Sequence, residues 1–233
     1  RNLQLKKPDV AVIEAIAITE DGGIIPTTSV GNSASFAIFA EKVIVEINTN
    51  LSPAFEGLHD IYIPTYRPTR QPIPLTQVDE RIGTHAINID PAKIVGIVIN
   101  NDLHDSPSTV TAPDDETQGI ADHLIAFFEK EVAEERLPKN LGPLQAGIGS
   151  IANAVLTGLK DSNFEDLVMY SEVLQDCTFE LIDAGKMKFA SGSSITLSAK
   201  YGEKVFNNLE AYKDKLVLRP QEISNHPELV RRL

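Results

Sequence analysis

Three runs in the first hundred residues are dominated by aliphatic and β-branched side chains: "VAVIEAIAI" (10–18), "KVIVEI" (42–47) and "IVGIVI" (94–99). Runs of this length and composition predict β-strands. The third is almost wholly apolar, the pattern of a strand buried on both faces of a parallel sheet. Between the first two, "GNSASFAIFAEK" reads as a helix, giving a strand–helix–strand unit of α/β type. Residues 51–76 alternate prolines with apolar and aromatic residues, as in "DIYIPTYRPTRQPIP". They are too apolar for a simple linker and predict an ordered loop on the surface of the first lobe.

Residues 106–115 form a polar, proline-containing break. In "DETQGIADHLIAFFEKEVAEER", which follows, Ile120, Leu124, Phe128 and Val132 recur every four residues and predict one apolar stripe of an amphipathic helix. Pro138 and Gly142 punctuate its end. A second α/β run is then expected: a helix from about Ser150, a strand near Leu167 and a helix from Thr178. A strand at 187–190, a helix near Glu203 and a strand at 216–219 complete it. The resulting division is 1–115, a helical connection over 116–142, and 143–233. The chain opens at Arg1 and stops at "PELVRRL" inside a helical pattern, so it is read as an internal portion of something longer.

Composition narrows the partners. Hydrophobic residues make up 42% of the 233 and charged residues 23%, enough for a packed core. The net charge of −12, with no basic block, argues against nucleic acid, which needs clustered Lys and Arg. A small anionic ligand stays open, because backbone amides bind phosphate without net positive charge. The single cysteine, Cys177, excludes an intrachain disulfide framework, fits a reducing compartment and is read as structural. No apolar run approaches transmembrane length and no signal-peptide pattern is present, so no membrane association is expected. His59, His85, His104, His123 and His226 show no metal-ligand spacing, and no metal is expected. A Ser/His/Asp hydrolase is rejected for want of a Gly-x-Ser-x-Gly elbow.

Two stretches carry candidate chemistry. "PLQAGIGSIANAVLTGL" (143–159) is a Gly-x-Gly turn feeding a helix, with Ser150 as the expected N-cap; a helix N-terminus behind such a turn suits an anion. It lacks the third glycine of a dinucleotide fingerprint and the lysine of a phosphate loop. "MYSEVLQD" (169–176) sets an acid, Glu172, where an apolar strand ends. Read together, and with "EAIAITEDGGIIPTTSVGNS", "EGLHDIYIP" and "EISNHPELVRRL", these stretches resemble the acetyl-CoA hydrolase and succinate:acetate CoA-transferase group of the class I CoA-transferases. The resemblance covers nearly the whole chain.

The resemblance implies two open, mainly parallel-sheet α/β lobes with the active site between them. Residues 1–115 would be the later part of the N-terminal lobe and 143–233 the first part of the C-terminal one. It implies a glutamate nucleophile at Glu172 that becomes a covalent CoA thioester. It further implies a CoA site lined by Gly147, Ile148, Gly149, Ser150 and Ile151, and an oxyanion donor at Asn225. Coenzyme A and acyl-CoA would be substrates with no resident cofactor, small carboxylates the acceptors, a homodimer the assembly, and the mitochondrial matrix or cytoplasm the location. Acetyl-CoA hydrolysis is the alternative activity, and an inactive fragment the alternative to both. Ser171 stands where threonine is commoner in the group, and the group's chains are longer.

Elementary chemistry supports a glutamate independently. Passing CoA between carboxylic acids without losing thioester energy needs a carboxylate on the enzyme. Several residues keep a plainer reading. "NHPE" fits a capping box with Asn225 as N-cap and Glu228 at N3. Gln175 and Asp176 either orient Glu172 or start the next helix. Glu14, Glu20 and Asp21 read as solvated acids.

Overall fold

The structure is a computed structural model that describes residues 6–66, 68–101 and 114–233. The polar break over 106–113 and His104 therefore lie outside the described residues.

The first sheet contains β1 (Val10–Ile18), β2 (Ile24–Pro26), β3 (Lys42–Asn48) and β4 (Ile94–Asn100), with α1 (Ser33–Phe39) between β2 and β3. Its order is β2-β1-β3-β4; β1, β3 and β4 are parallel and β2 runs antiparallel to β1. α2 (Asp115–Ala133) follows. It starts at a capping box in which the Asp114 carboxylate accepts from the Thr117 amide and the Thr117 hydroxyl accepts from the Asp114 amide.

The second sheet is built from β5 (Pro143–Leu144), α3 (Ser150–Asp161), β6 (Leu167–Tyr170), β7 (Val173–Leu174), α4 (Asp176–Asp183), β8 (Met187–Gly192), β9 (Ser194–Ile195), α5 (Ala199–Phe206) and β10 (Leu216–Leu218). β5, β6, β8 and β10 pair in parallel in the order β10-β8-β6-β5, and β7 pairs with β9 in a separate two-stranded ladder. Two short helices, α6 (Gln221–Ser224) and α7 (Pro227–Arg232), close the chain. Each successive strand of the second sheet lies beside its predecessor after a helical crossover. All its carboxyl ends thus open on one edge, where open α/β sheets bind ligands.

One continuous core joins the two sheets, running from Ala11, Val43 and Val45 through Leu58 and Ile61 to Leu167, Met169, Leu174 and Leu218. The sheets are also stitched by backbone. Ile195 N–H donates to the Thr28 carbonyl (2.8 Å) and Val30 N–H to the Ser193 carbonyl (2.9 Å). Deep in the junction the fully buried Arg219 guanidinium meets the Asp60 carboxylate and donates to Ser191 Oγ (3.0 Å) and the Val78 carbonyl (3.1 Å).

Three local expectations are corrected. β4 is not buried on both faces: it is an edge strand, and Val95, Ile97, Val98 and Ile99 are exposed. Apolar composition sets a strand's preference, but burial of its faces needs layers packed above and below, and among the described residues β4 pairs with β3 alone and has both faces open. The proline-rich segment does not simply decorate the first lobe. Its Ile73 and Leu75, with Val78 just beyond it, pack against Tyr170, Ile223 and Leu229 of the second sheet and its terminal helices. The α2 stripe holds at Phe128 and Val132, which pack against the core, but not at its start: Ile120 is exposed, while Thr117 and Ala121 are buried and Ile125 presses against Gly158 of α3.

Candidate active site

The glycine turn and the acid both follow carboxyl ends of strands of the second sheet, while Asn225 lies beyond α6. β5 ends at Leu144 and leads into the glycine turn; β6 ends at Tyr170 and leads into Ser171 and Glu172. β8 ends at Gly192 and leads into Ser193, and β10 ends at Leu218, just before Arg219, Pro220 and Gln221.

Glu172 does not lead directly into a helix. It occupies the bend between β6 and β7, half-buried, with α4 beginning four residues later. Its main-chain carbonyl accepts from Ser193 N–H (2.6 Å) and Ser194 N–H (3.1 Å). Its side-chain Oε1 accepts from the Gln221 amide Nε2 at 2.7 Å. The residue is thus fixed at both backbone and carboxylate. The approach of β8 to this bend demands glycine at 192, where a Cβ would stand 2.7 Å from Leu174 Cγ.

Ser171 links the acid to the glycine turn. Fully buried, it donates its hydroxyl to the Ala146 carbonyl (3.0 Å) and accepts from Ala146 N–H (3.4 Å). Gly147 and Glu172 each follow directly on one of these bonded residues. The N-cap of α3 is Gly149, not Ser150, which is the first helical residue. Gly149 has φ 147°, a conformation that side chains rarely adopt, and no side chain caps the helix. Gly147, Ile148, Gly149, Ser150 and Ile151 line an open groove of about 540 Å³ together with Leu124 and Phe128 of α2. Ile148 is 76% exposed. Apolar walls beside uncapped helix amides can hold a ligand with both an apolar and an anionic portion.

Asn225 does not cap α7. The N-cap is His226, whose Nδ1 accepts from Glu228 N–H at 3.3 Å, and Asn225 instead terminates α6 through its backbone. Its side chain is exposed and makes no hydrogen bond among the described residues, so the capping reading falls. Gln221, at the other end of α6, was missed. The stretch singled out in the sequence began one residue later, at Glu222, and only the strand-end geometry shows that Gln221 reaches the acid.

Asp176 does not orient Glu172; its carboxylate accepts from the Ser198 amide (2.9 Å) and hydroxyl (2.5 Å), tying α4 to α5. Gln175 is the N-cap of α4, without a side-chain cap bond. Cys177 is buried, and burial pushes its thiol up to about 12, which suits packing rather than nucleophilic work. Glu14 is not solvated: its oxygens accept from Thr27 Oγ1 (2.7 Å) and Asn48 Nδ2 (2.8 Å). Glu20 and Asp21 are exposed. Among the described residues no three His, Cys, Asp or Glu side chains cluster as metal ligands would, and no helix is long and apolar enough to cross a membrane.

Residues 3–99 match the family described as acetyl-CoA hydrolase/transferase N-terminal domain. The chain is 49% identical over 233 residues to an acetyl-CoA hydrolase of Schizosaccharomyces pombe, covering 100% of this chain and 44% of the relative. It is 47% identical over 229 residues to a succinyl-CoA:acetate CoA-transferase of Clostridium kluyveri, covering 98% and 42%. A solved 4-hydroxybutyrate CoA-transferase from Porphyromonas gingivalis shares the fold, with a TM-score of 0.61 at 20% identity, covering 95% of this chain and 47% of that one. The chain therefore spans less than half the length of the curated relatives it matches. With the sequence likenesses running through both sheets, the chain is similar throughout to acetyl-CoA hydrolases and CoA-transferases, and its residues 3–99 match the acetyl-CoA hydrolase/transferase N-terminal domain family.

Proposed function

We propose that the protein carrying this chain moves coenzyme A between short-chain acyl-CoA and carboxylates of the acetate and succinate type, through a thioester on Glu172. The observation that carries this reading is the placement of Glu172: a half-buried carboxylate at a strand's carboxyl end, fixed by Gln221 and joined through Ser171 to the glycine turn. Glu172 attacks the acyl carbonyl and expels CoA thiolate, forming a mixed anhydride. The thiolate then attacks the glutamyl carbonyl, leaving Glu172 as the CoA thioester and releasing the first acid. A second carboxylate reverses these steps. Gly147, Ile148, Gly149, Ser150 and Ile151 bind CoA, and Asn225 donates to an oxyanion. CoA enters as substrate, with no resident cofactor. The assembly is a homodimer, and the mitochondrial matrix or cytoplasm is the compartment.

The second reading is acetyl-CoA hydrolysis, favoured by the S. pombe relative's name. Water attacking the thioester in place of a carboxylate gives that outcome. Free thiol released from acetyl-CoA, measured with and without succinate, separates the two.

The test of the nucleophile uses the full-length protein. With acyl-CoA and no acceptor, borohydride should trap Glu172 as an alcohol on the "YSEVLQD" peptide. Glu172→Asp withdraws the carboxylate by about one methylene and should slow transfer on the order of 100-fold. Glu172→Gln should abolish it in fresh protein. A Glu172→Ala enzyme that still exchanges CoA at near-normal rate would defeat the reading.

A further inference from the structure

Glu172 has two oxygens, and the structure treats them differently. Oε1 accepts from Gln221 Nε2 at 2.7 Å, whereas no side chain among the described residues donates to Oε2. A carboxylate only accepts, so the Gln221 amide must present its nitrogen. That amide sits on a support pinned from several sides. Gln221 N–H donates to the Gly31 carbonyl (2.9 Å), a turn of the first lobe at φ 46°. One residue on, the Glu222 carboxylate accepts from the Ser35 hydroxyl, again from the first lobe. Two residues on, the Ile223 carbonyl accepts from the hydroxyl of buried Tyr170 (2.5 Å), the last residue of the strand leading to Glu172. Arg219, two residues before, is locked to Asp60. A side chain carried on so fixed a base is a preorganised donor.

We propose that Gln221 is a catalytic residue that distinguishes the two oxygens of Glu172: its amide marks Oε1 as the oxygen that stays on the enzyme and stabilises the negative charge that develops there. The inference rests on the glutamyl-thioester reading above. Oε2, free of the amide, forms the new bond to the acyl carbon while the carbon–sulfur bond of the acyl-CoA breaks and its electron pair leaves with the thiolate. In the next step the thiolate sulfur bonds to Cδ of Glu172, and the C=O electron pair moves onto Oε1, directly against the Gln221 N–H. Collapse restores the Cδ=Oε1 double bond and breaks the Cδ–Oε2 bond. The first acid departs carrying Oε2, and Oε1 remains as the thioester carbonyl oxygen, polarised by the same amide for attack by the second carboxylate. Gln221 thus acts on the glutamyl carbon, a separate centre from the substrate acyl carbon. Asn225 is free to serve the latter.

The experiment uses full-length protein mixed with acyl-CoA in a single turnover, following the glutamyl-CoA adduct by mass. Gln221→Ala should slow adduct formation about 100-fold or more, as loss of one oxyanion donor does elsewhere, while the thermal midpoint moves little because the side chain is half-exposed. Gln221→Glu conserves shape and covers the case in which the alanine variant does not fold. It places a second carboxylate beside Oε1, and the acidic limb of the kcat/KM profile should move to higher pH because two such groups titrate as a pair. A merely structural tether would instead show its loss in the thermal midpoint, with adduct formation in Gln221→Ala near the wild-type rate. Adduct formation within about threefold of wild type in folded Gln221→Ala, or an unmoved acidic limb in Gln221→Glu, overturns the proposal while Glu172→Ala stays inert. If Glu172→Ala itself still exchanges CoA, the glutamyl reading fails first and the role of Gln221 falls with it.

Discussion

His59 shows how much one buried ring can govern. It is 1% exposed, and its Nε2 lies 2.9 Å from the Thr27 carbonyl. A carbonyl only accepts, so Nε2 carries the proton, and Nδ1 is left bare with no partner among the described residues. A second proton would enter a dry site facing Arg81 and His85. Burial first, and those charges after it, lower the imidazole from 6.5 to about 4. The unfolded chain therefore takes up this proton before the folded one does. The stabilisation is fully present above pH 6.5 and is lost as pH falls from there toward 4, a change on the order of 3 kcal/mol. His59→Asn, which keeps a donor for Thr27 but does not titrate, should flatten that fall. Denaturant unfolding at a series of pH values measures it, and parallel slopes for the two proteins would contradict the assignment.

At the scale of elements, the short α6–α7 pair decides what Asn225 does. The sequence "SNHPE" allows a cap at either Asn225 or His226, since both residues can accept a backbone N–H. Pro227 sits at the first position of α7, which makes His226 the N-cap and leaves Asn225 as the closing residue of α6. An exposed side chain without a hydrogen bond contributes little to stability. Asn225→Ala in full-length protein should thus leave the unfolding midpoint nearly unchanged while lowering kcat about 100-fold, the effect of a lost oxyanion donor. A loss of roughly 1 kcal/mol in stability with kcat intact would instead return Asn225 to a capping role.

For the whole molecule, the Arg219–Asp60 pair ties the first lobe to the second. Burial works to lower the arginine, and the Asp60 carboxylate opposes that. Asp60 also accepts from the amides of Ile82 and Gly83, at 3.0 and 2.6 Å through Oδ1. Arg219→Met strands a buried carboxylate and should cost about 3–5 kcal/mol. Adding Asp60→Asn removes the stranded charge but keeps an acceptor for the two amides. The double variant should therefore be more stable than the sum of the single changes implies, and a double-mutant cycle on unfolding free energy measures the coupling. Simple additivity would mean the two groups act independently. Because α6 follows Arg219 directly, loosening this pair should also loosen the base that carries Gln221.

The sequence by itself determined most of the local structure. Its apolar periods marked β1, β3, β6 and β10 and the helices between them, and "GIGSIANAV" and "YSEVLQD" marked the turn and the acid. Those signals are short-range: a strand's alternation, a glycine's positive φ and a proline at a helix start are written in neighbouring residues. Tertiary structure decided what depends on distant neighbours. β4 is as apolar as a central strand, yet its place at the sheet edge leaves it exposed. Glu14 has the composition of a surface acid, yet Thr27, just past β2, and Asn48 of β3 converge on it. Gln221 lies 49 residues from Glu172, and no local pattern distinguishes it from any glutamine at a helix start. Parallel strands bring their carboxyl ends together regardless of separation along the chain. Chemistry that uses those ends is therefore assembled only when the sheet forms.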